Sequence, residues 1–325
     1  MEGVSRRRFL ARAATGVGST SLVSGCLDLG DGGGPTIPVD RRLSVGSKHF
    51  TENRILGFMT FEAVNHVLDV QPVHEIGYGR TSTIWEALVE GAVDTYWEYT
   101  GTLWYVHLQD DGPPARIDDP LTLYQRVRKD VRAAYDLECF SPAPFDNPYV
   151  LCVRPEWAAE TGISTLSGLF EYAADGNPVP VAVGPEFYHR ADGWPGLLDH
   201  YGVSEGTRRA WDPTVAVVNL VLGYEFLVGE TIDVAMGFGT DPQIPINDLV
   251  VLEDDRDFFP PYNPCPVVRA GVLDRIDGLG ELLDRLGPTI ETAEEMQALN
   301  ARVVVGGEDA RDVALSVLRR EGILG

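Results

Sequence analysis

Lysine is almost missing from this chain of 325 residues. Only Lys48 and Lys129 are lysines, although lysine and arginine together number 26, and 49 acidic residues bring the formal net charge to -23. Such a charge excludes a typical nucleic-acid-binding protein, which needs a basic surface. Abundant acidic residues with few lysines favour a halophilic source, because the Debye length falls to about 3 Å in 1 M salt and repulsion is screened. An acidic protein encoded by a GC-rich genome is the alternative.

Catalytic and metal-binding patterns are also lacking. The sequence has no nucleophile elbow, no metal-ligand spacing and no matched pair of carboxylates, so we expect no enzyme, no metal and no cofactor. Asp94 and Glu98 are expected on the surface or in loops, with an exported hydrolase that uses Glu98 as a minor alternative. Cys139, Cys152 and Cys265 are expected to be buried and apolar. Their odd number means at least one free thiol or an unusual partner outside the cell, and the sequence does not fix any pairing.

The N-terminal segment lacks a hydrophobic run long enough to span a bilayer of about 30 Å. Three arginines at 6–8 precede a short stretch of small and apolar residues that ends in "VSGC" at Cys26. This pattern resembles a twin-arginine signal, residues 1–25, that ends in a lipobox. It predicts export of a folded protein to the outer face of the cell membrane and lipidation of Cys26. The Gly- and Pro-rich residues 26–42 are typical of a tether.

Alternating strands and helices follow the tether. "LSVGSKHF" predicts a strand and loop, the next stretch a helix with Thr51 as its N-cap, and "QPVHEIGYG" a second strand. Thr83 and Glu86 form a capping-box pattern for a further helix. The alternation predicts parallel sheets flanked by helices.

One segment has an echo later in the chain. "ALVEGAVDTYWEYTGT" (87–102) aligns with "FLVGETIDVAMGFGTD" (226–241), which places Asp94 opposite Asp233 and Tyr99 opposite Phe238. Both segments predict a helix end, an acidic turn, a strand and a Gly/Thr turn. The echo predicts two similar lobes whose strand ends line one crevice. Within "YWEYTGT", Trp97 shares its face with Tyr99, while Tyr96 points to the other side.

Aromatic residues at a strand end suit one class of ligand. A quaternary ammonium has no N–H to donate, so aromatic faces hold it through cation–π attraction of roughly 0.5–2 kcal/mol per contact. A carboxylate on the same ligand would require a lysine or arginine.

Five motifs, in order, resemble the substrate-binding proteins of osmoprotectant ABC importers, which bind glycine betaine, choline, carnitine or proline betaine. The resemblance covers residues 43 to about 323, on the motifs "VGSKHFTE", "YWEYTGT", "PFDNPYVLCV", "EFYHRADGWPGLLDHYG" and "GTDPQIPINDLVVLEDDRDFFPPYNPCPVVR". It implies a type II periplasmic-binding-protein-like fold: two α/β lobes joined by two crossover strands, with the ligand cleft between them. The implied bounds are 43–148 with 262–325 for lobe 1 and 149–261 for lobe 2.

The resemblance also implies the ligand-binding residues. They are Lys48, Tyr99, Thr102, Tyr149, Arg190, Phe238 and Tyr262. Phe238 stands where the family leads us to expect tyrosine, and "TDPQI" replaces a common Thr-Asp-Gly, so the loop after the cleft is expected to differ. The implied partner is an ABC permease. Delivery of the solute to a chemotaxis transducer is the alternative, and the choice among betaine, choline and carnitine stays open.

Overall fold

The computed structural model describes residues 41–109 and 116–325. The predicted signal segment, the lipidation site Cys26 and nearly all of the tether lie outside the described residues. All of the elements below belong to one unit, Ile37–Gly325. In the described ranges, no helix combines the length and the apolar composition that crossing a membrane requires.

In the described part of the chain, ten strands form two sheets of five. The strands are β1 (Arg42–Lys48), β2 (Gln71–Gly79), β3 (Thr95–Tyr99), β4 (Leu137–Cys139), β5 (Tyr149–Val153), β6 (Val181–Val183), β7 (Val215–Val217), β8 (Val234–Phe238), β9 (Val250–Val251) and β10 (Pro264–Arg269).

The two sheets share one topology. The first has the order β2-β1-β3-β10-β4 and the second the order β7-β6-β8-β5-β9. In the first, β1 is parallel to β2 and β3, whereas β10 is antiparallel to β3. In the second, β6 is parallel to β7 and β8, whereas β5 is antiparallel to β8. The chain passes between the sheets twice, before β5 and before β10.

Helices connect the strands and cover both sheets. They are α1 (Thr51–Val67), α2 (Thr81–Glu90), α3 (Thr100–Thr102), α4 (Pro120–Tyr135), α5 (Pro155–Thr161), α6 (Leu166–Ala174), α7 (Pro185–His189), α8 (Trp194–His200), α9 (Glu205–Trp211), α10 (Leu220–Val228), α11 (Gln243–Ile246), α12 (Ala270–Leu273), α13 (Leu279–Leu286), α14 (Ala293–Val304) and α15 (Ala310–Arg320). Shorter helical turns span Leu103–His107, Asp212–Thr214 and Gly287–Thr289.

Each sheet is packed on both faces. One apolar cluster joins α1, α13, α14 and α15 to the first sheet, and another joins α2 and α4 to it. Around the second sheet, one cluster contains α5, α6, α8 and α9 and the other contains α10. Burial of both faces explains why the central strands read as nearly continuous apolar runs. Cys139, Cys152 and Cys265 are buried within these clusters, as predicted, and all three are free thiols, which the sequence had left open.

The early elements match the sequence prediction, but the predicted helix caps are wrong. The N-cap of α1 is Phe50, not Thr51, and its side chain makes no capping hydrogen bond. Helix α2 begins at Thr81, so Thr83 and Glu86 lie inside it and form no capping box. The backbone N–H of Thr81 donates instead to Glu186, 3.1 Å away on α7, so a carboxylate from beside the second sheet takes the place of the local cap.

The echo corresponds to equivalent parts of the two sheets. Strand β3 follows α2, strand β8 follows α10, and each occupies the centre of its sheet. Asp94 and Asp233 precede the two strands, and each pairs with arginine: Asp94 with Arg269 and Arg275, Asp233 with Arg154. The predicted α/β architecture is confirmed. The prediction of parallel sheets is wrong, because β10 and β5, the strands that follow the two passages between the sheets, run antiparallel to their neighbours.

Candidate functional site

One cavity of about 1200 Å³ contains every ligand-binding residue predicted from the sequence. The ends of both central strands line it, with further wall from α7, α10, α11 and α14. The structure thus brings together residues that are far apart in sequence, namely Lys48, Tyr99, Thr102, Tyr149, Arg190, Phe238 and Tyr262.

Only one of the three aromatic residues in "YWEYTGT" lines this cavity. Trp97 is buried in the core beside α1, where its indole N–H donates to Thr60 over 2.8 Å. Tyr96 points to the opposite side and donates its hydroxyl to Glu98 over 2.8 Å. Tyr99 is the last residue of β3, and its ring faces the cavity. The alternation of side chains along the strand produces this division.

The aromatic box consists of the rings of Tyr99, Tyr149, Phe238 and Tyr262. The ring centroid of Tyr149 lies 5.2 Å from that of Phe238 and 5.9 Å from that of Tyr262. Phe50, which sequence reasoning missed, stacks on Phe238 at 5.4 Å and lies 6.0 Å from Tyr99. Its position two residues after Lys48, in a motif already singled out, was the available signal.

A buried ion pair holds Lys48. Its ammonium lies 2.5 Å from Glu98 and 5.1 Å from the centroid of the Tyr99 ring. Glu98 also accepts hydrogen bonds from the Tyr96 hydroxyl and the backbone N–H of Tyr99. The expectation that Glu98 lies on the surface or in a loop is therefore wrong, since it is a strand residue with no exposed surface.

The charge state of Glu98 follows from this pairing. Burial alone would raise the pKa of its carboxyl, but the charge of Lys48 and the contact with His107 outweigh burial and lower the pKa to about 2. Glu98 is thus ionised and inaccessible, which speaks against the alternative in which it donates a proton to a substrate.

A second ion pair holds Arg190. The Nε atom donates to Asp192 over 2.8 Å, and the Tyr262 hydroxyl donates to the same carboxylate over 2.7 Å. The guanidinium carbon lies 5.6 Å from the centroid of the Tyr149 ring, and Nη2 lies 3.4 Å from the Thr102 hydroxyl. Arg190 therefore contacts one wall of the aromatic box, Tyr149, is linked to a second wall, Tyr262, through Asp192, and reaches the turn after β3.

A third carboxylate, Glu52, was not singled out from the sequence. It lies at the start of α1, is 2% exposed, and lines the same cavity. It accepts hydrogen bonds from the Tyr99 hydroxyl over 2.7 Å, from the Asn147 amide over 3.0 Å and from the Thr240 hydroxyl over 2.5 Å. These donors belong to the first sheet, the crossover before β5 and the turn after β8, so Glu52 connects the two sheets.

Contacts between the sheets also occur at the mouth of the cavity. Glu186 on α7 accepts the Thr81 hydroxyl over 2.9 Å in addition to the Thr81 N–H. Its carboxylate also lies 3.9 Å from Nη1 of Arg190. A carboxylate at the N-terminus of α2 is stabilised by the free N–H groups and the helix dipole.

The chain is similar to characterised solute-binding proteins. It is 32% identical to the glycine-betaine-binding protein of Pseudomonas aeruginosa, across 87% of this chain and 88% of that protein. It is 29% identical to CosB of Halobacterium salinarum, a substrate-binding protein of a chemotactic signal transduction system, across 81% of this chain and 79% of CosB. The crystal structure of a glycine betaine/carnitine/choline ABC transporter protein superimposes with a TM-score of 0.67 at 26% identity, covering 86% of this chain and 99% of that one.

A family model gives the assignment. Residues 41–320 match OpuAC, the substrate-binding domain of the ABC-type glycine betaine transport system. The match extends over both sheets and over every residue of the aromatic box. The resemblance inferred from five short motifs is confirmed, and the chain belongs to the OpuAC family of substrate-binding domains.

Proposed function

We propose that this protein captures glycine betaine or a related quaternary ammonium solute between its two lobes and delivers it to an ABC permease. The observation that carries the proposal is the cavity itself, in which four aromatic rings and two cations converge from both sheets. Aromatic faces attract a trimethylammonium group, and cations bind a carboxylate. The same cavity can thus bind both the trimethylammonium group and the carboxylate of a betaine.

Each predicted residue then has a role. Tyr99, Tyr149, Phe238 and Tyr262 enclose the trimethylammonium, while Lys48, Arg190 and Thr102 face the carboxylate. Both cations already pair with buried carboxylates, and both keep capacity for a ligand. Glu98 takes one N–H of an ammonium that has three, and Nη1 of Arg190 is directed toward the more distant Glu186.

We place lobe 1 at residues 43–148 and 262–325 and lobe 2 at 149–261. The two passages of the chain between the sheets would act as the hinge, and contacts such as Thr81–Glu186 and Glu52–Thr240 would form when the lobes close. Closure around a solute is a common hinge motion of two-lobed proteins.

We further propose that the protein is exported through its twin-arginine segment and anchored by lipid at Cys26 on the outer face of the cell membrane. The substitution Cys26→Ser should move the protein from the membrane fraction to the soluble fraction without changing its affinity for the solute. A variant that still sediments with membranes would contradict the lipid anchor. The acidic, lysine-poor composition supports a salt-adapted source, in which a compatible solute has an evident use.

Isothermal titration of the wild type tests the ligand class. We expect binding of glycine betaine, choline, carnitine or proline betaine, and no binding of glycine, which shares the carboxylate but has no methyl groups. Failure to bind any of the four would refute the proposed function. Native mass spectrometry of the purified protein would identify a solute retained from the cell.

A second candidate function has a specific observation in its favour. The similarity to CosB supports presentation of the solute to a chemotaxis transducer. A strain that lacks this protein separates the two candidates. Loss of labelled betaine uptake with normal attraction to betaine favours the permease, and the converse favours the transducer.

A further inference from the structure

The charges at the base of the cavity do not balance in pairs. Glu98 pairs with Lys48, and Asp192 pairs with Arg190. Within residues 41–109 and 116–325, Glu52 has no cation within ion-pair distance, and its donors are a phenol, an amide and a hydroxyl. Uncharged donors stabilise a buried carboxylate without cancelling its charge. Glu52 is therefore a carboxylate of the cavity without a cation as partner. Asp241, which also lines the cavity, is a second one, since among the described residues it accepts only from the Tyr224 hydroxyl and the Phe238 N–H.

Glu52 is also placed among the walls of the aromatic box. Tyr99 is itself a wall, Asn147 precedes the wall residue Tyr149 by two positions, and Thr240 follows the wall residue Phe238 by two. Since one donor comes from each of three separate segments, the carboxylate lies where the bases of three walls meet. A cation between these rings would be the missing partner of Glu52.

We propose that Glu52 is a specificity-determining residue: it contributes an unpaired negative charge at the bases of the box walls, and this charge makes the aromatic box select a cation over a neutral group of the same shape. The proposal rests on the proposed function and names a determinant that the aromatic rings alone do not provide. Cation–π attraction favours a cation modestly, and a nearby opposite charge in a buried site attracts it more strongly.

Protonation of Glu52 gives the proposal a measurable signature. Burial raises the pKa of its carboxyl to about 7, although the hydrogen bonds from Thr240, Tyr99 and Asn147 oppose the shift. Asp241, in the turn after β8, raises it further. The other charged groups near the box include the Lys48–Glu98 pair on β1 and β3 and the Arg190–Asp192 pair after α7. Further titratable groups line the cavity or contact a wall of the box, namely His49, Arg80, Glu186, Glu225 and Asp146, which accepts the Tyr262 N–H.

The sign of the pH effect follows from the charge. A bound cation favours the ionised carboxylate, so cation binding at or below about pH 7 should release a proton. Affinity for a quaternary ammonium should then rise with pH and level off above about pH 7. Below that value it should fall by up to about 10-fold per pH unit. A neutral ligand of the same shape should show no such loss.

Two matched ligand pairs isolate the charge. Neohexyl alcohol is choline with carbon in place of nitrogen, and tert-butylacetate is glycine betaine with the same replacement. Isothermal titration at about pH 6 and about pH 8, at one ionic strength and in buffers of different ionisation enthalpy, gives both affinity and protons released. In the wild type we expect proton release with the ammonium ligands only.

The variant Glu52→Gln keeps the shape of the side chain and removes its charge. We expect it to weaken the ammonium ligands about 10- to 100-fold, to change the carbon ligands less than about 3-fold, and to abolish the pH step and the proton release. Asp241→Asn is the control, because burial raises the pKa of that carboxyl to about 6, and its removal should leave a pH step.

The outcomes separate this proposal from the proposed function. If the wild type binds ammonium ligands but Glu52→Gln keeps the same preference over the carbon ligands, Glu52 is not the determinant and the function stands. If Glu52→Gln fails to fold, wild-type proton release decides, and equal release with both members of a pair overturns the proposal. A wild type that binds no ammonium ligand overturns both.

Discussion

The two walls of the cavity each contain an aromatic ring and a buried ion pair, but the two ion pairs differ in solvent exposure. The wall from the first sheet combines Tyr99, at the end of β3, with the Lys48–Glu98 pair. The wall from the second sheet combines Phe238, at the end of β8, with the Arg190–Asp192 pair. Each wall thus has a ring at the end of its central strand and a cation held by a buried carboxylate, although the four charged residues share no motif.

The pairs differ in how open they are. The side chains of Lys48 and Glu98 are 4% and 0% exposed, and both residues belong to strands of one sheet. The Arg190 side chain is 13% exposed and reaches Thr102 of the other wall. A fully enclosed pair mainly affects stability, since removing one partner leaves the other charge buried and alone. We therefore expect Lys48 to matter most for the fold and Arg190 most for the ligand.

Lys48→Met should have the largest effect of the variants considered. It leaves Glu98 buried without its cation, and we expect the free energy of unfolding to fall by about 3–5 kcal/mol. Lys129→Met, at the only other lysine of the chain, is the matched control. Lys129 is exposed on α4, so its substitution should change stability by less than about 0.5 kcal/mol. Chemical denaturation of both variants measures the difference.

The pH dependence of the stability difference between the wild type and Lys48→Met tests whether the unpaired charge of Glu98 causes that difference. The pKa of Glu98 is about 2 in the folded protein against an ordinary value of 4.5. A carboxyl with a lowered pKa contributes stability above its unfolded pKa and loses it as the pH falls through the folded value. The gap between the wild type and Lys48→Met should therefore narrow from about pH 4.5 toward pH 2. A gap that is constant over this range would show that lost packing, not charge, is responsible.

Arg190→Ala tests whether the cation of the second wall binds the carboxylate of the ligand. If Arg190 binds the ligand carboxylate, loss of a charge-assisted hydrogen bond of about 1.5–3 kcal/mol weakens glycine betaine about 10- to 150-fold. Choline has the same cationic head and no carboxylate, so its affinity should change much less. Titration of both ligands measures the ratio, and equal losses would mean that Arg190 positions Tyr149 and Thr102 without contacting the carboxylate.

Sequence reasoning performed well where the signal was local or came from a motif. The periodicity of residues 42–79 predicted β1, α1 and β2, and the echo identified the two central strands. Motif order brought together seven residues that the structure places in one cavity. Their contact with a ligand is still a prediction.

The errors came from contacts between distant segments. A capping pattern at Thr83 was misleading because the N-terminus of α2 contacts Glu186, more than a hundred residues away. Glu98 looked like a surface residue because a charged side chain is seldom fully buried, and nothing local shows that Lys48 lies beside it. Glu52 was passed over for the same reason, as its three donors come from three segments.

Tyr262→Leu tests the box wall at the end of the second passage between the sheets. Leucine fills much of the space but has no aromatic face, so both glycine betaine and choline should weaken alike, by about 0.5–2 kcal/mol or about 2- to 30-fold. Tyr262→Phe is the control. It keeps the face and removes the hydrogen bond to Asp192, so any loss should be confined to betaine, through Arg190. A loss of choline binding in Tyr262→Phe would argue against this division.

The smallest effect on ligand affinity is expected at Phe238, where the second wall has phenylalanine and the first wall has tyrosine. Phe238→Tyr restores the residue that the echo and the family would place there, and the ring face in the box is unchanged. Affinity for glycine betaine and choline should therefore change by less than about 3-fold.

The reciprocal variant Tyr99→Phe also keeps its ring, but it removes the hydroxyl that donates a hydrogen bond to Glu52. It should lower stability by about 1–3 kcal/mol and shift the pH step in ligand affinity, whereas Phe238→Tyr should leave that step in place. Equal effects of Phe238→Tyr and Tyr99→Phe on stability and on the pH step would show that the two rings have the same role. They would contradict the view that Phe238 only contacts the ligand whereas Tyr99 also orients the carboxylate of Glu52.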